Sequence, residues 1–242
     1  MTRPLINSLG QPIGEPLPDW SPPPWPCKLP IHGRLCRLEP LSIAEHGRSL
    51  FDATGGEDSL ADWTYMAYGP FAQYEDYLNW LSENCLGDDP QFFAIVAGSQ
   101  GLPQGLASYL RIGPSQGSIE VGHLMFGRSL RRTTAATEAM YLMMQRAFEL
   151  GYRRYEWKCD ALNEPSRRAA RRLGFSFEGL FRQATIYKGR NRDTAWYAII
   201  DKDWPALRAA YEQFLTESNF DENGNQRVRL SELTRPLLRD HR

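Results

Sequence analysis

Apolar and polar positions alternate most regularly between residues 118 and 175, first with the period of a strand and then with that of a helix. Residues 118–126 are apolar, β-branched or aromatic at several positions, which predicts a strand. A helix is predicted over 131–150, because apolar residues recur there at helical spacing. A second strand is predicted over 152–159 and a second helix over 163–174, with a proline in its first turn and a glycine at its end.

The same patterns predict the elements on either side of this stretch. Strands are expected over 33–38, 91–97, 105–112, 175–187 and 194–200, and helices over 42–53, 74–85 and 204–214. Turn residues make the three strands before residue 127 an antiparallel meander. The strand–helix–strand unit that follows gives a parallel pair. This order predicts an α+β domain built on a mixed sheet.

Proline and polar residues mark the two ends of the chain. Residues 1–30 hold nine prolines, which exclude a central strand or a helix interior, and they form a predicted N-terminal extension. This extension is either a flexible leader or an arm packed on the domain or on a second subunit. Trp20 and Trp25 favour packing. Residues 31–218 are the predicted domain, and residues 219–242 are a polar, partly ordered tail.

Composition narrows the functional classes. The chain has 242 residues, and its 28 basic and 29 acidic residues give a net charge of −1, which gives no general attraction to nucleic acid or anionic lipid. No apolar run approaches the roughly 20 residues that a membrane span needs, and the N-terminus lacks the apolar core of a signal peptide. The four cysteines form no CxxC pair and the four histidines are dispersed. We therefore expect free thiols, a cytoplasmic location and no metal site.

The turn at 130–137 carries the first functional indication. It is small and polar, and it leads directly from a strand into a helix. The first backbone N–H groups of such a helix point outward, and with the helix dipole they favour an anion, above all a phosphate. Arg131 and Arg132 add positive charge where a pyrophosphate would lie. The glycines of a P-loop or of a dinucleotide fingerprint are absent.

Two motifs in this stretch resemble those of the GNAT acetyltransferases. Arg131-x-x-Thr134-x-Ala136, continued by Thr-Glu-Ala, is similar to the acetyl-CoA pyrophosphate loop, usually Gln/Arg-x-x-Gly-x-Gly/Ala. The run NEPSRRAARRLGF at 163–175 is similar to that family's Asn-x-x-Ser…Leu-Gly-Phe helix. The resemblance covers about residues 33–215 and is closest to the branch that acetylates the amino termini of ribosomal proteins. Thr134 is a departure, because the family usually has glycine there.

The resemblance implies a fold and an acetyl-CoA site. The GNAT fold has a mixed central sheet of about seven strands with helices on both faces, and two splayed parallel strands admit acetyl-CoA. Here those strands would be 118–126 and 152–159. A backbone N–H at a bulge polarises the thioester carbonyl, at about Met125 or Phe126, where neighbouring glycines permit distortion. The pyrophosphate would bind at Arg131, Arg132, Thr133, Thr134, Ala135 and Ala136.

Three residues are candidates for the base that deprotonates the amine. An α-amino group has a pKa of about 8, so a modest base or a water chain suffices. Glu120 and His123 lie on the strand beside the predicted cleft, and Glu178 lies on a later strand. A glutamate before glycine is a plausible base in the resembling branch, so Glu178 is preferred. Each of the three could instead lie on a solvated strand face or pair with an arginine.

Ser166 is the candidate donor to the leaving sulfur. It shares one helix face with Ala169, Ala170 and Leu173, so it is predicted to face inward, beside the expected path of the pantetheine arm. The alternative is a helix-capping serine. Many GNAT enzymes have a tyrosine acid where this chain has Ala170. Asn163 would cap the helix and hydrogen-bond the pantetheine amides.

The sequence predicts an enzyme that moves an acetyl group from acetyl-CoA to a primary amine, a protein N-terminus or a small molecule, by direct attack in a ternary complex. The aromatic residues at 63–71 either cover the core or flank the acceptor cleft. The alternative function is a catalytically weak acyl-CoA-binding or sensing domain. Nucleic-acid binding is disfavoured, because no aromatic platform interleaves with the arginines of 167–172. The oligomeric state stays open, with a homodimer among the options.

Overall fold

The computed structural model describes residues 5–239, and this part of the chain contains ten strands and six α-helices. In chain order they are β1 (Leu5–Ile6), β2 (Pro12–Ile13), β3 (Ile31–His32), β4 (Cys36–Pro40), α1 (Ile43–Thr54), α2 (Tyr74–Asn84), β5 (Gln91–Ala97), β6 (Leu102–Gly113), β7 (Ser118–Phe126), α3 (Thr134–Glu149), β8 (Arg154–Asp160), α4 (Glu164–Arg172), β9 (Ser176–Tyr187), β10 (Arg190–Ile200), α5 (Trp204–Leu215) and α6 (Leu230–Thr234). A 3-10 helix, Glu57–Trp63, lies between α1 and α2.

Eight of these strands form one mixed sheet in the order β3-β4-β5-β6-β7-β8-β10-β9, and β1 and β2 form a separate antiparallel pair. All neighbours in the large sheet are antiparallel except β7 and β8. The α+β class and the mixed sheet are confirmed. The eighth strand is β3, a two-residue strand that pairs with β4 and is too short to give a periodic pattern.

The two parallel strands separate along their length. Residues 118–121 of β7 pair with residues 154–157 of β8, and the pairing stops there. Beyond that point β7 continues beside β6 up to the Gly105–Phe126 pair, and β8 continues beside β10 up to the Asp160–Thr194 pair. The carboxyl ends of β7 and β8 therefore diverge, as the family resemblance implies.

Helices cover both faces of the sheet, because alternate residues of each strand point to opposite sides. Phe93 and Ile95 of β5 belong to the larger core, which α3, α4 and α5 cover. Phe92 and Ala94 belong to a smaller core, which α1 and α2 cover. No residue of β8, β9 or β10 within 5–239 belongs to the smaller core, so this core does not extend over those three strands.

The boundaries of α3 and α4 follow from their capping residues. Thr133 caps α3, since its side chain accepts a hydrogen bond from the Ala136 N–H, so the helix begins three residues later than the pattern predicts. The chain leaves α3 through Gly151, whose φ of +96° favours glycine. Asn163 caps α4 by accepting from the Ser166 N–H, as predicted.

A buried carboxylate ties α3 to the turn between β3 and β4. Glu138 is 5% exposed, and its two oxygens accept hydrogen bonds from the N–H groups of Arg34, Leu35 and Cys36 at 3.1, 2.6 and 3.0 Å. A Cβ at Gly33 would lie 2.5 Å from Glu138 Oε2, so only glycine fits there without displacing the carboxylate. The Thr-Glu-Ala part of the motif thus fixes the start of α3 against the sheet.

Both predicted flanking segments contact the domain. Carbonyl oxygens of the N-terminal arm accept hydrogen bonds from Arg146 and Tyr152, and Gln91 donates to the carbonyl of Pro26, which is buried. At the other end, Leu230 belongs to the larger core. Residues 1–4 of the extension and 240–242 of the tail, including His241, lie outside the described residues. The division into 1–30, 31–218 and 219–242 stays a prediction.

Candidate active site

The turn before α3 presents free backbone donors. Thr133 Oγ1 accepts from the Ala136 N–H at 3.1 Å. The N–H groups of Thr134 and Ala135 donate to no group in residues 5–239. Arg132 has a φ of +62°, a left-handed conformation that is uncommon outside glycine and that reverses the chain into the helix. A 16-residue helix with two unused amides at its start is suited to bind an anion.

Arg131 holds this turn in place. Its guanidinium makes two parallel hydrogen bonds to Asp62, at 2.9 and 2.5 Å, and its Nε donates to the carbonyl of Phe126 at 2.6 Å. Each nitrogen of the guanidinium is therefore engaged within the protein. The predicted contact of Arg131 with a pyrophosphate stays a prediction, and its visible contacts join the turn to β7 and to the 3-10 helix.

A glycine directly after β7 lets the backbone pass close to two neighbouring carbonyl groups. A Cβ at Gly127 would lie 2.8 Å from the carbonyl oxygen of Ala53 and 2.9 Å from that of Gln104. Real Cβ atoms are not found that close to oxygen, so only glycine allows the strand to leave the sheet here and enter the turn.

The bulge in β7 lies at His123 and Leu124, just before the expected position, and the role of the Met125 or Phe126 N–H as the group that polarises the carbonyl stays a prediction. Met125 pairs with Leu106 and Phe126 with Gly105, whereas Gly122 pairs with Ser108, which leaves one extra residue on β7. His123 takes a φ of +51° to accommodate it. No local pattern marks a histidine for this conformation. Contacts of the His123 ring with residues that are distant in sequence fix this conformation.

The ring of His123 packs between two aromatic side chains on the α1/α2 face. Nδ1 lies 2.6 Å from the hydroxyl oxygen of Tyr68, and the ring centroid lies 5.1 Å from that of Phe92. Burial, aided by the charge of Arg111, lowers the pKa of His123 to about 4. His123 is therefore neutral near pH 7.

The aromatic segment 63–71 is mainly part of the core. Trp63 is fully buried, and its Nε1 donates to the carbonyl of Thr54 at 3.0 Å. Tyr68 is the member that reaches the bulge. Lys188, in the turn between β9 and β10, donates to the carbonyl of Trp63 at 2.8 Å, so the hairpin and the aromatic segment meet. Sequence reasoning did not single out Tyr68, because only the fold brings it to β7.

Ser166 lies at the point where β7 and β8 part. Its Oγ accepts a hydrogen bond from Trp157 Nε1 at 3.0 Å, and Trp157 is the last residue of β8 that pairs with β7. Its N–H donates to Asn163 Oδ1 at 3.1 Å, so Asn163 is the cap and the Ser166 hydroxyl is not used in capping. Burial raises the pKa of the neighbouring Cys159 thiol, and a hydrogen bond with Ser166 partly offsets this effect.

A row of alternating charges crosses the opposite face of the sheet, from β7 to β9. Lys158 Nζ lies 2.8 Å from Glu120 Oε2 and 2.7 Å from Glu156 Oε2, and it sits 3.9 Å from the ring centroid of Trp196. Arg111 also pairs with Glu120 at 2.8 Å. Glu120 is 3% exposed, so this candidate base is buried between two cations.

The row ends at Glu178. Both of its oxygens accept from the Arg154 guanidinium, at 2.9 and 2.5 Å, and Arg154 Nε donates to Glu156 at 2.6 Å. The hydrogen bond with Glu178 raises the pKa of Arg154 above its ordinary value. Arg154 pairs with Ser118 at the start of the parallel segment. Glu178 is therefore tied to the closed end of the β7/β8 pair, and its assignment as the base stays a prediction.

A cavity of about 370 Å³ opens beside the turn, between the first residues of α3, the end of α4 and the C-terminal segment. We call it the arginine cavity, because Arg132, Arg172 and Arg229 line it and no acidic residue of the described part of the chain does. Thr133 and Thr134 line it from the turn. The sequence pattern indicated the turn but not Arg172 or Arg229, which only the packing of the C-terminal segment brings there.

Other site types find little support within residues 5–239. No group of three or more histidine, cysteine, aspartate or glutamate side chains there could hold a metal ion. The thiols of all four cysteines are free. In the same part of the chain, no helix has the length and apolar character needed to cross a lipid bilayer.

Comparisons with known proteins agree with this geometry. The acetyltransferase (GNAT) domain family matches residues 38–176, more than half of the chain. A GCN5-related N-acetyltransferase from Brucella melitensis is 45% identical over 90% of this chain and 100% of that one, with a TM-score of 0.85. An acetyltransferase assigned to the GNAT family, from Chromobacterium violaceum, is 38% identical over 81% and 98%, with a TM-score of 0.75.

A solved structure of lower identity shares the fold. RimL, a ribosomal L7/L12 α-N-protein acetyltransferase, is 21% identical over 69% of this chain and 91% of its own, with a TM-score of 0.59. At that identity the likeness shows the fold alone, so the ribosomal branch stays a prediction. None of the curated proteins matches the chain. The fold, the diverging strands and the family match together show that the chain belongs to the GNAT acetyltransferase family.

Proposed function

We propose that the protein transfers an acetyl group from acetyl-CoA to a primary amine, a protein N-terminus or a small molecule, by direct attack in a ternary complex. The observation that carries this proposal is the divergence of β7 and β8 beyond Val121 and Trp157, with the anion-binding turn directly after β7. Members of the family bind acetyl-CoA, and the diverging strands and the turn support the same ligand here.

The donors at the turn fit a pyrophosphate. The free N–H groups of Thr134 and Ala135 and the positive end of α3 supply attraction, and Arg132 adds a charge that is exposed beside them. Thr134 occupies the first turn of α3 without closing the cavity, since it lines it. The side chain that replaces the usual glycine is thus compatible with a ligand at this position.

The bulge and Ser166 lie near the site of the proposed chemistry. The acetyl thioester that acetyl-CoA supplies must have its carbonyl polarised and its sulfur protonated. A bulge frees backbone groups from the sheet ladder, and here it lies at His123 and Leu124, where β7 and β8 have already parted. Ser166 lies on the α3/α4 face where β7 and β8 separate, and it is the proposed donor to the sulfur. Asn163 is proposed to hydrogen-bond the pantetheine arm.

The acceptor amine is proposed to approach from the α1/α2 face. This face carries the side chains of Tyr68, His123, Lys158 and Trp196. The core that α1 and α2 cover contains no described residue of β8 or β10. Glu178 is the proposed base, and the proton of the amine is proposed to reach it along the row of charges. A cytoplasmic location and a homodimer also stay proposals.

One experiment tests the enzyme against a binding domain without turnover. The full chain is incubated with acetyl-CoA and with a pool of primary amines and N-terminal peptides, and released thiol is followed over time. We expect thiol release that depends on the acceptor and yields an acetylated amine by mass spectrometry. Tight acetyl-CoA binding with no acceptor-dependent thiol release would instead support the sensing domain.

A further inference from the structure

The C-terminal segment is fixed against the domain and forms one wall of the arginine cavity. Asn219 bridges the segment, because its Oδ1 accepts from the Val228 N–H at 2.8 Å and its Nδ2 donates to the Val228 carbonyl at 3.1 Å. Leu230 is fully buried, and Thr234 donates to the carbonyl of Arg172 at 2.9 Å. Arg229 is therefore held beside the end of α4 by ordered backbone on either side.

This wall lies outside the part of the chain that the family match covers. The match ends at residue 176, whereas the cavity is lined by Asn225, Gln226 and Arg229 in addition to the turn. The segment thus lies outside the matched range, as β10 and α5 do, and it reaches the proposed phosphate turn.

Arg172 has no carboxylate partner among residues 5–239. Its Nη2 donates to Thr137 Oγ1 at 3.2 Å, and its guanidinium lies 5.9 Å from the ring centroid of Phe214, but it forms no ion pair with any residue in 5–239. Burial lowers its pKa, so the protein environment opposes its charge. A partly buried cation without a partner is stabilised by an anion that enters from solvent.

The other two arginines of the cavity also have no ion pair among the described residues. Arg132 and Arg229 are exposed, and neither forms a salt bridge or a side-chain hydrogen bond there. Three cations, none of them paired with an acidic group of residues 5–239, thus face one cavity of about 370 Å³. The amide side chain of Gln226 adds a donor and an acceptor, and Asn225, whose Nδ2 donates to Asp221, adds a second amide. Such a lining suits a dianionic phosphate monoester attached to a nucleoside.

We propose that the arginine cavity binds the 3′-phosphate and adenosine of acetyl-CoA, and that Arg229 of the C-terminal segment makes this chain selective for CoA over 3′-dephospho-CoA. The proposal rests on the proposed function, which places the pyrophosphate at the neighbouring turn. Because the turn and Arg132 already supply donors for the pyrophosphate, Arg172 and Arg229 remain available for the 3′-phosphate.

The test measures dissociation constants by calorimetry for the full chain with CoA and with 3′-dephospho-CoA at one fixed ionic strength. We expect CoA to bind at least about tenfold more tightly, which corresponds to about 1.4 kcal/mol. Arg229→Ala should remove most of this preference by weakening CoA binding, while the dissociation constant for 3′-dephospho-CoA changes less than about twofold. Arg229 is exposed, so the variant is expected to fold.

Two further variants sharpen the result. Arg227→Ala is the matched control, because Arg227 is exposed on the same segment and does not line the cavity, and it should keep the wild-type preference. Arg172→Lys keeps a positive charge but loses the planar fork, so it should reduce the preference in part.

The outcomes separate the two proposals. If CoA does not bind at all, the acetyltransferase proposal fails. If both ligands bind equally to the wild type, or if Arg227→Ala acts like Arg229→Ala, only the cavity assignment is overturned. An equal loss for both ligands in Arg229→Ala would place this arginine on the pyrophosphate and would likewise overturn the assignment to the 3′-phosphate.

Discussion

Tyr68 and His123, 55 residues apart in sequence, share a 2.6 Å hydrogen bond that joins the aromatic segment to the bulge of β7. The bond holds a histidine in a left-handed conformation with its ring in the core that α1 and α2 cover. Because its surroundings lower the pKa of this partly buried ring, its protonation is coupled to folding.

The first prediction concerns stability below neutral pH. The pKa of His123 is about 4 in the folded protein and about 6.5 in an unfolded chain. Between these values the unfolded chain binds a proton that the folded protein does not, so the free energy of unfolding falls as the pH drops from about 6.5 towards 4. At pH 5 the loss from this group is about 2 kcal/mol, and above pH 6.5 the contribution is fully present.

Urea denaturation at pH 7.5 and pH 5.0 checks this prediction. His123→Asn should lose less stability between the two values than the wild type does, by about 2 kcal/mol, since asparagine tolerates the left-handed conformation and does not titrate. His32→Asn, at an exposed position, is the control and should behave like the wild type. Equal pH dependence in His123→Asn and the wild type would contradict the prediction.

The turn before α3 and the cap of α4 could be predicted from local sequence, whereas the bulge in β7 and the arginine cavity could not. The turn at Thr133–Ala136 and the Asn163 cap depend on residues within one turn of each other, so their types reveal them. The bulge at His123 depends on Tyr68, and the cavity depends on Arg229, which is distant from the turn in sequence. Contacts of that kind leave no periodic pattern, so the sequence places the bulge about two residues later than the structure does.

The second prediction concerns Arg131 and Asp62. If their ion pair holds the turn, Asp62→Ala and Arg131→Ala should each weaken acetyl-CoA binding, by up to about fivefold for a partly exposed pair worth about 1 kcal/mol. The double variant should be little worse than either single one, because each removes the same interaction.

Asp58→Ala is the matched control for this pair. Asp58 lies on the same 3-10 helix, and its side chain forms no hydrogen bond or ion pair with residues 5–239, while its backbone carbonyl accepts from Arg128. Acetyl-CoA affinity in Asp58→Ala should equal that of the wild type. Tighter binding in Asp62→Ala would show that Arg131, once released, contacts the phosphates directly, and the holding role would then be abandoned.

The third prediction tests Glu178 as the base. Glu178→Gln should lower kcat by about 100-fold and should remove the acidic limb of the pH–rate profile, while KM for acetyl-CoA stays within about twofold. Glu156→Gln is the matched control, since it also removes a carboxylate that is bound to Arg154. If both variants lose kcat equally, Glu178 acts by holding Arg154 and is not the base.

The fourth prediction concerns Ser166. Removal of its hydroxyl in Ser166→Ala leaves the buried N–H of Trp157 without its acceptor, which should lower the free energy of unfolding by about 1 kcal/mol. If the hydroxyl also donates to the leaving sulfur, kcat should fall by about 10- to 100-fold, while the dissociation constant for CoA stays within about twofold.

Ser166→Thr separates the two effects, because threonine keeps a hydroxyl that can accept from Trp157 and donate to sulfur. It should recover most of kcat. A loss of stability in Ser166→Ala without a loss of kcat would show that the hydroxyl only orients Trp157 beside the diverging strands. Since Asn163 already caps α4 through its own side chain, the capping alternative predicts no change in kcat for either variant, so the ratio of kcat between alanine and threonine decides between the roles.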